Sequence, residues 1–222
     1  MILCIDPGFS VGSGGTGWAL FSDSKVSLFP EKTGVIKTRS GTWEERISQV
    51  VTSLAKQPAL FAFMGPRCLV YIELPTFFQT EKGMSCATGK KGDDSDLVKL
   101  SILVGMIKQY YVSLGCTVRM LRINDWKGTI KKPAVAARIA RRLWPGEFTV
   151  DDDPAIRAFE EFGDHALDAV GMGLFVKGVF KANAGKEVGN ASKERSGTRV
   201  TGKNNTRRST VCYTRSRPNN RR

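Results

Sequence analysis

Three predicted strands lie within the first 36 residues, and they limit the folds open to this chain more than any other feature. Residues 2–5 and 18–21 each predict a buried strand, with a glycine-rich stretch between them. A third strand is predicted from residues 26–28 and 34–36. Strands at such short separations indicate an antiparallel meander.

The remaining sequence alternates between helical and strand patterns. Thr42 and Glu45 have capping-box spacing before an apolar stripe, and Gly115 ends a second stripe. The predicted order, β-β-β-α-β-α-β-α-α, is typical of an α/β fold with a mixed sheet and helices packed on it. The predicted elements after the meander are helices over residues 42–56, 97–114, 132–143 and 163–180, strands over residues 68–72 and 116–121, and a loop over residues 74–94.

Positive charge is concentrated at the C-terminal end. The formal net charge is +13, of which residues 183–222 carry +9 and residues 1–182 only +4. Few large apolar side chains occur in residues 183–222, so this segment cannot bury enough surface to offset chain entropy and is predicted to be a disordered tail. Basic tails commonly contact nucleic acid through phosphate charge, and the alternative is a tail that only increases solubility.

The cysteines and the hydropathy pattern indicate the compartment. Five cysteines form no CxxC pair, and Cys4, Cys68 and Cys116 lie in or beside predicted strands, which is typical of buried free thiols in a reducing environment. No apolar run approaches the ~20 residues of a membrane span, and residues 1–5 are too short for a signal-peptide core. We expect a cytoplasmic protein, of a bacterium or a virus-infected cell, without a membrane partner.

Acids occupy the ends of two predicted strands and one face of the last helix. Asp6 follows the first strand, Glu73 ends the next central strand, and Asp168 shares a helix face with Asp164 and His165. Burying a carboxylate costs several kcal/mol unless it is paired or coordinated. Acids that converge at one sheet edge would repel one another, so a divalent cation is their natural partner.

Two divalent cations about 3.5–4 Å apart can clamp a phosphodiester, because one activates water while the other stabilises the leaving oxygen. Carboxylate oxygens are the hard ligands that this chemistry requires. The alternative is structural: Asp6 begins a turn, Glu73 is an exposed strand end and Asp168 pairs with a surface cation.

Three motifs occur in order along residues 1–182. The first is Ile-Asp-Pro-Gly at residues 5–8 with Thr-Gly-Trp-Ala at residues 16–19, the second Tyr-Ile-Glu at residues 71–73, and the third Asp-His-Ala-Leu-Asp-Ala at residues 164–169. Together they resemble the RuvC-type Holliday junction resolvases. The resemblance implies a ribonuclease-H-like nuclease domain: a three-strand antiparallel meander plus parallel strands, flanked by helices. The longer first turn and the basic tail indicate a divergent branch, such as a viral or phage one.

The resemblance also implies roles for these residues. Asp6, Glu73 and Asp168 match the metal ligands of that family, His165 matches the fourth ligand, and Asp164 is a second candidate for that place. These ligands would hold two Mg²⁺ ions per active site, with Mn²⁺ able to substitute. Asp6, Glu73, His165 and Asp168 are therefore the candidate catalytic residues.

Lysines near the third motif matter in that family. Lys127, Lys131 and Lys132 are all candidates for a lysine beside the scissile phosphate, and a solvated surface position is the alternative for each. Of the three, Lys127 is our candidate for catalysis and the other two are our candidates for DNA binding. An aromatic residue after the second acid wedges into the junction in the family, which points to Phe77 or Phe78, although packing within the loop is the alternative.

One further basic group lies on the predicted helix 132–143. Arg138, with Arg141 and Arg142, is either a DNA contact or part of a solvated face.

The function implied is a Mg²⁺-dependent homodimeric endonuclease that resolves four-way junctions in DNA recombination and repair. The alternatives are a less selective nuclease for flaps, forks or RNA–DNA hybrids, and a non-catalytic protein that binds branched nucleic acid.

Overall fold

The computed structural model describes residues 1–11, 15–24, 26–61, 65–75, 77–80, 83–86 and 94–180. The elements in chain order are β1 (Ile2–Asp6), β2 (Thr16–Phe21), β3 (Lys32–Ile36), α1 (Trp43–Ala55), α2 (Pro58–Phe61), β4 (Leu69–Leu74), β5 (Phe77–Thr80), β6 (Gly83–Cys86), α3 (Asp94–Ser113), β7 (Thr117–Arg122), α4 (Ile123–Trp126), α5 (Lys132–Leu143), α6 (Pro154–Phe162) and α7 (Asp164–Val176).

The meander predicted from the first apolar runs is present. Strand β1 pairs antiparallel with β2, and β2 pairs antiparallel with β3. The third strand is shorter than predicted. Its hydrogen bonding to β2 begins only at Glu31, whose N–H donates to the Leu20 carbonyl at 2.7 Å. Residues 26–28 do not belong to it, and Val26 is 91% exposed.

Two parallel strands extend the meander into a five-stranded sheet. Strand β4 pairs parallel with β1, and β7 pairs parallel with β4, so that the order is β3-β2-β1-β4-β7. The predicted fold class, a mixed sheet of a three-strand antiparallel meander and parallel strands flanked by helices, is confirmed by these pairings. The β5–β6 hairpin, in contrast, lies where only a loop was predicted.

Both faces of the sheet are covered, which explains why β1 and β2 are almost continuously apolar. Leu3 and Ile5 of β1 pack with residues of α1 and α3, whereas Ile2 and Cys4 point to the other face and pack with residues of α5, α6 and α7. This alternation follows the period of two of a strand. The core therefore has two halves with the sheet between them.

Helix boundaries agree with the local signals. The capping box before α1 is present: Glu45 N donates to Thr42 Oγ1 at 3.3 Å, and Thr42 N donates to Glu45 Oε2 at 2.8 Å. Helix α5 has its predicted bounds. Helix α7 ends before residue 180, because the chain turns at Gly178 with φ +76°. Helix α6 was not predicted, nor were the short helices α2 and α4.

The three cysteines that the structure describes with their side chains, Cys4, Cys68 and Cys116, are buried and free, as predicted. Within the described part of the chain, none of the helices combines the length and the apolar character needed to cross a bilayer. The predicted tail, residues 183–222, lies outside the described residues.

Helix α7 contacts the sheet backbone to backbone at Gly17. A Cβ built on Gly17 would overlap the carbonyl oxygen of His165, so any side chain there would push the first turn of α7 away from β2. Because Gly17 is the register partner of Asp6, this contact also fixes the helix beside the end of β1.

Gly17→Ala is therefore expected to lower the melting temperature by roughly 10 °C, since the overlap involves backbone atoms that cannot rotate away. Gly105→Ala is the matched control: Gly105 lies in α3, and a Cβ there meets nothing within 4 Å among the described residues. That substitution should leave the melting temperature unchanged or raise it. Thermal unfolding followed by circular dichroism measures both; equal melting temperatures for the two variants would contradict the contact.

Candidate active site

Two acids lie side by side at the carboxyl end of the sheet. Ile5 of β1 is the register partner of Ile72 of β4, so the next residue on each strand, Asp6 and Glu73, occupies equivalent positions on neighbouring parallel strands. Asp6 is mostly buried, with 14% of its side chain exposed. The topology thus brings together two acids that are 67 positions apart in the sequence.

Helix α7 carries the other predicted ligands in its first two turns. Gly163, with φ +69°, precedes the helix and separates it from α6. Asp168 is buried, His165 is half-buried, and Asp164 is exposed. His165 Nδ1 lies 3.3 Å from Asp6 Oδ2, which links the helix to the end of β1.

The chain after Asp6 is held by a buried threonine. Thr16 Oγ1 accepts a hydrogen bond from Gly8 N at 3.1 Å and donates one to the Gly8 carbonyl at 2.7 Å. Thr16 has no exposed surface, so both hydrogen bonds are shielded from water. This explains the Thr of the first motif, whose role the sequence alone did not indicate.

Two lysines neutralise Asp168. Lys127 Nζ lies 3.2 Å from Asp168 Oδ1, and Lys132 Nζ lies 2.8 Å from Asp168 Oδ2. Lys132 Nζ also lies 2.8 Å from Asp164 Oδ1, so that it bridges two acids of α7. Each oxygen of Asp168 therefore faces an ammonium group.

Trp126 is the site residue that sequence reasoning missed. Its indole N–H donates to Glu73 Oε2 at 3.0 Å, and the side chain is fully buried at the end of the short helix α4. Lys127, the next residue, lies over the Trp126 ring at 5.5 Å from its centroid. Two consecutive residues at the end of α4 thus contact the acids: Trp126 contacts Glu73, and Lys127, the C-cap residue, contacts Asp168.

The carboxylates act on one another electrostatically. Burial, and then repulsion from Asp6 and Asp168, raises the pKa of Glu73 to about 8, against the opposing effect of the Trp126 hydrogen bond. Burial also raises the pKa of Asp6, with Asp168 adding to the effect and His165 opposing it. Burial and the nearby acids therefore both favour the protonated form of Glu73 and of Asp6.

The acids also raise the pKa values of two basic groups in the cluster, His165 and Lys132. The hydrogen bond to Asp6 raises the pKa of His165 although burial opposes it. Burial alone would lower the pKa of Lys132, but Asp168 and Asp164 together outweigh burial and raise it.

The donor set fits a hard divalent cation, because the oxygens of Asp6, Glu73 and Asp168 are carboxylate oxygens. As the side chains stand, however, no three His, Cys, Asp or Glu residues in the described ranges are close enough together to hold a metal ion. The contacts explain this: Glu73 is turned to Trp126, Asp6 to His165 and Asp168 to the lysines.

The predicted DNA-binding residues lie in different surroundings. Phe77 and Phe78 belong to β5, and their side chains lie outside the described residues. Lys131 is exposed at the N-cap of α5. Arg138 is half-buried, and its Nη1 is buried with no hydrogen-bond partner among the described residues.

No protein-family model matches this sequence, and no curated protein matches it. Among solved structures, the chain is similar to Thermus thermophilus RuvC, with 16% sequence identity and a TM-score of 0.45 over 81% of this chain and 98% of that one. It is also similar to T. thermophilus RuvC in complex with Holliday junction substrate, with 14% identity and a TM-score of 0.42 over 81% of this chain and 97% of that one. No residue role is transferred at this level of identity.

Proposed function

We propose that this protein is a divalent-cation-dependent endonuclease that cuts branched DNA, with four-way junctions as its preferred substrate. One observation carries the proposal: Asp6, Glu73 and Asp168, from distant parts of the sequence, converge at one edge of the sheet, where burial and then the charge of Asp168 raise the pKa values of both Asp6 and Glu73. Such convergence costs stability, and a structural role does not require it. Metal-assisted phosphodiester hydrolysis does require clustered carboxylates.

Each residue of the site has a role in this reaction. Asp6, Glu73 and Asp168 would hold the cations, with His165 or Asp164 as a fourth ligand. Two bound Mg²⁺ ions would supply an activated water and charge stabilisation at the phosphate. Hydrolysis would join the water oxygen to phosphorus as the bond to the 3′ oxygen breaks; the water would lose a proton and the 3′ oxygen would gain one, which would leave a 5′-phosphate and a 3′-hydroxyl.

Lys127 would stabilise the charge that develops on the phosphate. Its ammonium group is 3.2 Å from Asp168, and its side chain is only 12% exposed. Trp126 beneath it keeps the lysine at the edge of the carboxylate cluster.

DNA would be held by groups around this cluster. Lys131 and Lys132 begin α5, and Arg138 lies on the same helix. Phe77 or Phe78 of the hairpin would wedge into the junction, and residues 183–222 would add charge attraction to phosphates.

A homodimer belongs to the proposal, because two symmetric cuts need two sites. Helix α3 offers a surface for it. Its buried side packs with the core, as at Val104 and Ile107, whereas an exposed stripe at every fourth residue is apolar: Val98, Ile102 and Met106. A second copy of the chain, with the same stripe, would cover these residues.

Cleavage of synthetic DNA tests the function. Four-way junctions, forks, linear duplexes and RNA–DNA hybrids are incubated with the full-length protein in Mg²⁺ and in EDTA, beside Asp6→Asn. We expect junctions to be cut fastest, only with the metal, and on two strands within one binding event. Asp6→Asn should be slower by a factor on the order of 10³, since a carboxylate ligand is lost.

Other outcomes would replace the proposal. Hybrids cut faster than junctions would indicate a ribonuclease with the same site. Junction binding without any difference in cutting between wild type and Asp6→Asn would indicate a non-catalytic binding protein. If only one strand of each junction is cut, that result would contradict the homodimer but not the nuclease function.

A further inference from the structure

Lys132 has an unusual position for a lysine expected to contact DNA. It lies in the first turn of α5, and its side chain is 29% exposed. Its ammonium group is 2.8 Å from Asp164 Oδ1 and 2.8 Å from Asp168 Oδ2, so it is engaged by two acids of α7 rather than turned towards solvent.

This position conflicts with metal binding. A divalent cation bonded to Asp168 would bring two positive charges next to an ammonium group that is already within 2.8 Å of the same carboxylate. The ammonium group and the metal ion are therefore alternative partners for Asp168 Oδ2. The same reasoning explains why a coordinating triad is lacking within the described ranges.

We propose that Lys132 is a built-in competitor of the divalent cation: its ammonium group holds Asp164 and Asp168 together, and the metal must displace it in order to bind Asp168. The inference rests on the proposed function. The inference extends the proposed function by adding a control of metal binding at the same site.

The displaced ammonium group has another anion to pair with when DNA is present. A phosphate at the carboxylate cluster offers oxygens to a lysine that has just been separated from its carboxylate partners. DNA binding would then favour metal binding, and by linkage the metal would favour DNA binding to the same extent. Without DNA, Lys132 keeps metal affinity low, which limits hydrolysis to the substrate complex.

Lys127 is a less suitable candidate for this role. It contacts a single acid, at 3.2 Å, and its position over the Trp126 ring holds it beside the cluster. Lys132 contacts two acids at shorter distances and is more exposed, so it has room to move towards solvent or a phosphate.

Metal titration without DNA tests the competition. Binding of Mn²⁺ and Mg²⁺ to the full-length protein is measured by calorimetry for wild type, Lys132→Met and Lys131→Met. Lys131, the adjacent exposed residue, is the matched control because its replacement removes the same charge. We expect Lys132→Met to bind Mn²⁺ roughly tenfold more tightly than wild type, and Lys131→Met to differ from wild type by less than about twofold.

A second variant separates this role from a purely structural one. Lys132→Arg keeps the charge and is expected to bind Mn²⁺ no more tightly than wild type. Without metal, Lys132→Met should melt at a lower temperature than wild type, because Asp164 and Asp168 lose their shared cation. Added Mg²⁺ should raise the melting temperature of Lys132→Met more than that of wild type. A structural role alone would not increase metal affinity.

The outcomes distinguish this inference from the proposed function. Metal-dependent cutting by wild type, with Lys132→Met binding Mn²⁺ equally or more weakly, would overturn the competition alone. An equal gain for Lys131→Met would assign the effect to net charge and also overturn it. Absence of Mn²⁺ binding in wild type, Lys132→Met and Asp6→Asn alike would overturn both.

Discussion

Glu73→Gln is expected to abolish cleavage and, at the same time, to stabilise the metal-free protein at pH 8. Glutamine keeps the shape of glutamate and an oxygen that can accept the Trp126 hydrogen bond, but it carries no charge. Activity should fall by a factor on the order of 10³ or more, because a proposed metal ligand is lost. Stability should rise, because a buried charge that is repelled by Asp6 and Asp168 is removed.

The pH dependence of this gain follows from the raised pKa of Glu73. In the folded state the pKa is about 8, above the ordinary value near 4.5. Between these values the folded chain keeps a proton that the unfolded chain has released, so the free energy of unfolding falls as pH rises through this window. The raised pKa values of Asp6 and His165 act in the same direction. Glu73→Gln should therefore reduce the decline without removing it.

Urea unfolding at pH 5, 7 and 8.5 in EDTA measures this effect, and junction cleavage in Mg²⁺ measures the loss of activity. Glu160→Gln, at an exposed position of α6, is the control and should leave both properties unchanged. Added Mg²⁺ should stabilise wild type more at pH 8.5 than at pH 5, since the metal binds ionised carboxylates. A wild-type stability that does not fall from pH 5 to pH 8.5 would contradict the electrostatic account of the site.

Neutralising the C-terminal tail is expected to have the second-largest effect. Replacing the eleven Lys and Arg residues of 183–222 by Gln lowers the formal net charge of the chain from +13 to +2. Each phosphate that the tail no longer neutralises reduces the slope of log K against log salt by about 0.9. For a tail that pairs with a few phosphates, DNA binding should weaken about a hundredfold at low salt and less at high salt.

Cleavage at saturating protein should be retained, because the carboxylate cluster lies outside this segment. Binding is measured by fluorescence anisotropy with labelled junctions at 50 and 200 mM salt. A tail of the same composition in scrambled order is the control, and it should bind as wild type does if charge alone matters. Unchanged affinity in the neutral variant would leave the tail only a solubilising role.

Local signals in the sequence predicted much of this fold for identifiable reasons. Thr42 and Glu45 define the start of α1 because the side chain of each accepts a hydrogen bond from the backbone N–H of the other, only three positions away in the sequence. Asp6 and Glu73 could be expected at one edge because each follows an apolar strand and neighbouring parallel strands end together. The hairpin β5–β6 was missed because each of its strands has only four residues, and the Glu-Lys pair between them in the sequence is not one of the usual hairpin-turn sequences.

The partners of the acids were beyond sequence reasoning. Trp126 and Glu73 are 53 residues apart, and the four-residue helix that aims the indole has no periodicity to detect. Lys132 was assigned to DNA, since nothing in a sequence tells a lysine that faces a phosphate from one that bridges two carboxylates. Such pairings depend on how α5 and α7 pack, which is a tertiary property.

The contact between Gly17 and the His165 carbonyl works as a spacer of fixed length. Because it joins two main chains, the gap between strand and helix is set by atoms that every amino acid shares. Substitutions elsewhere in the core can change its packing without changing that gap. Most residues in the interior of this protein could therefore change during evolution while Asp6 at the end of β1 and Asp168 on α7 keep their separation.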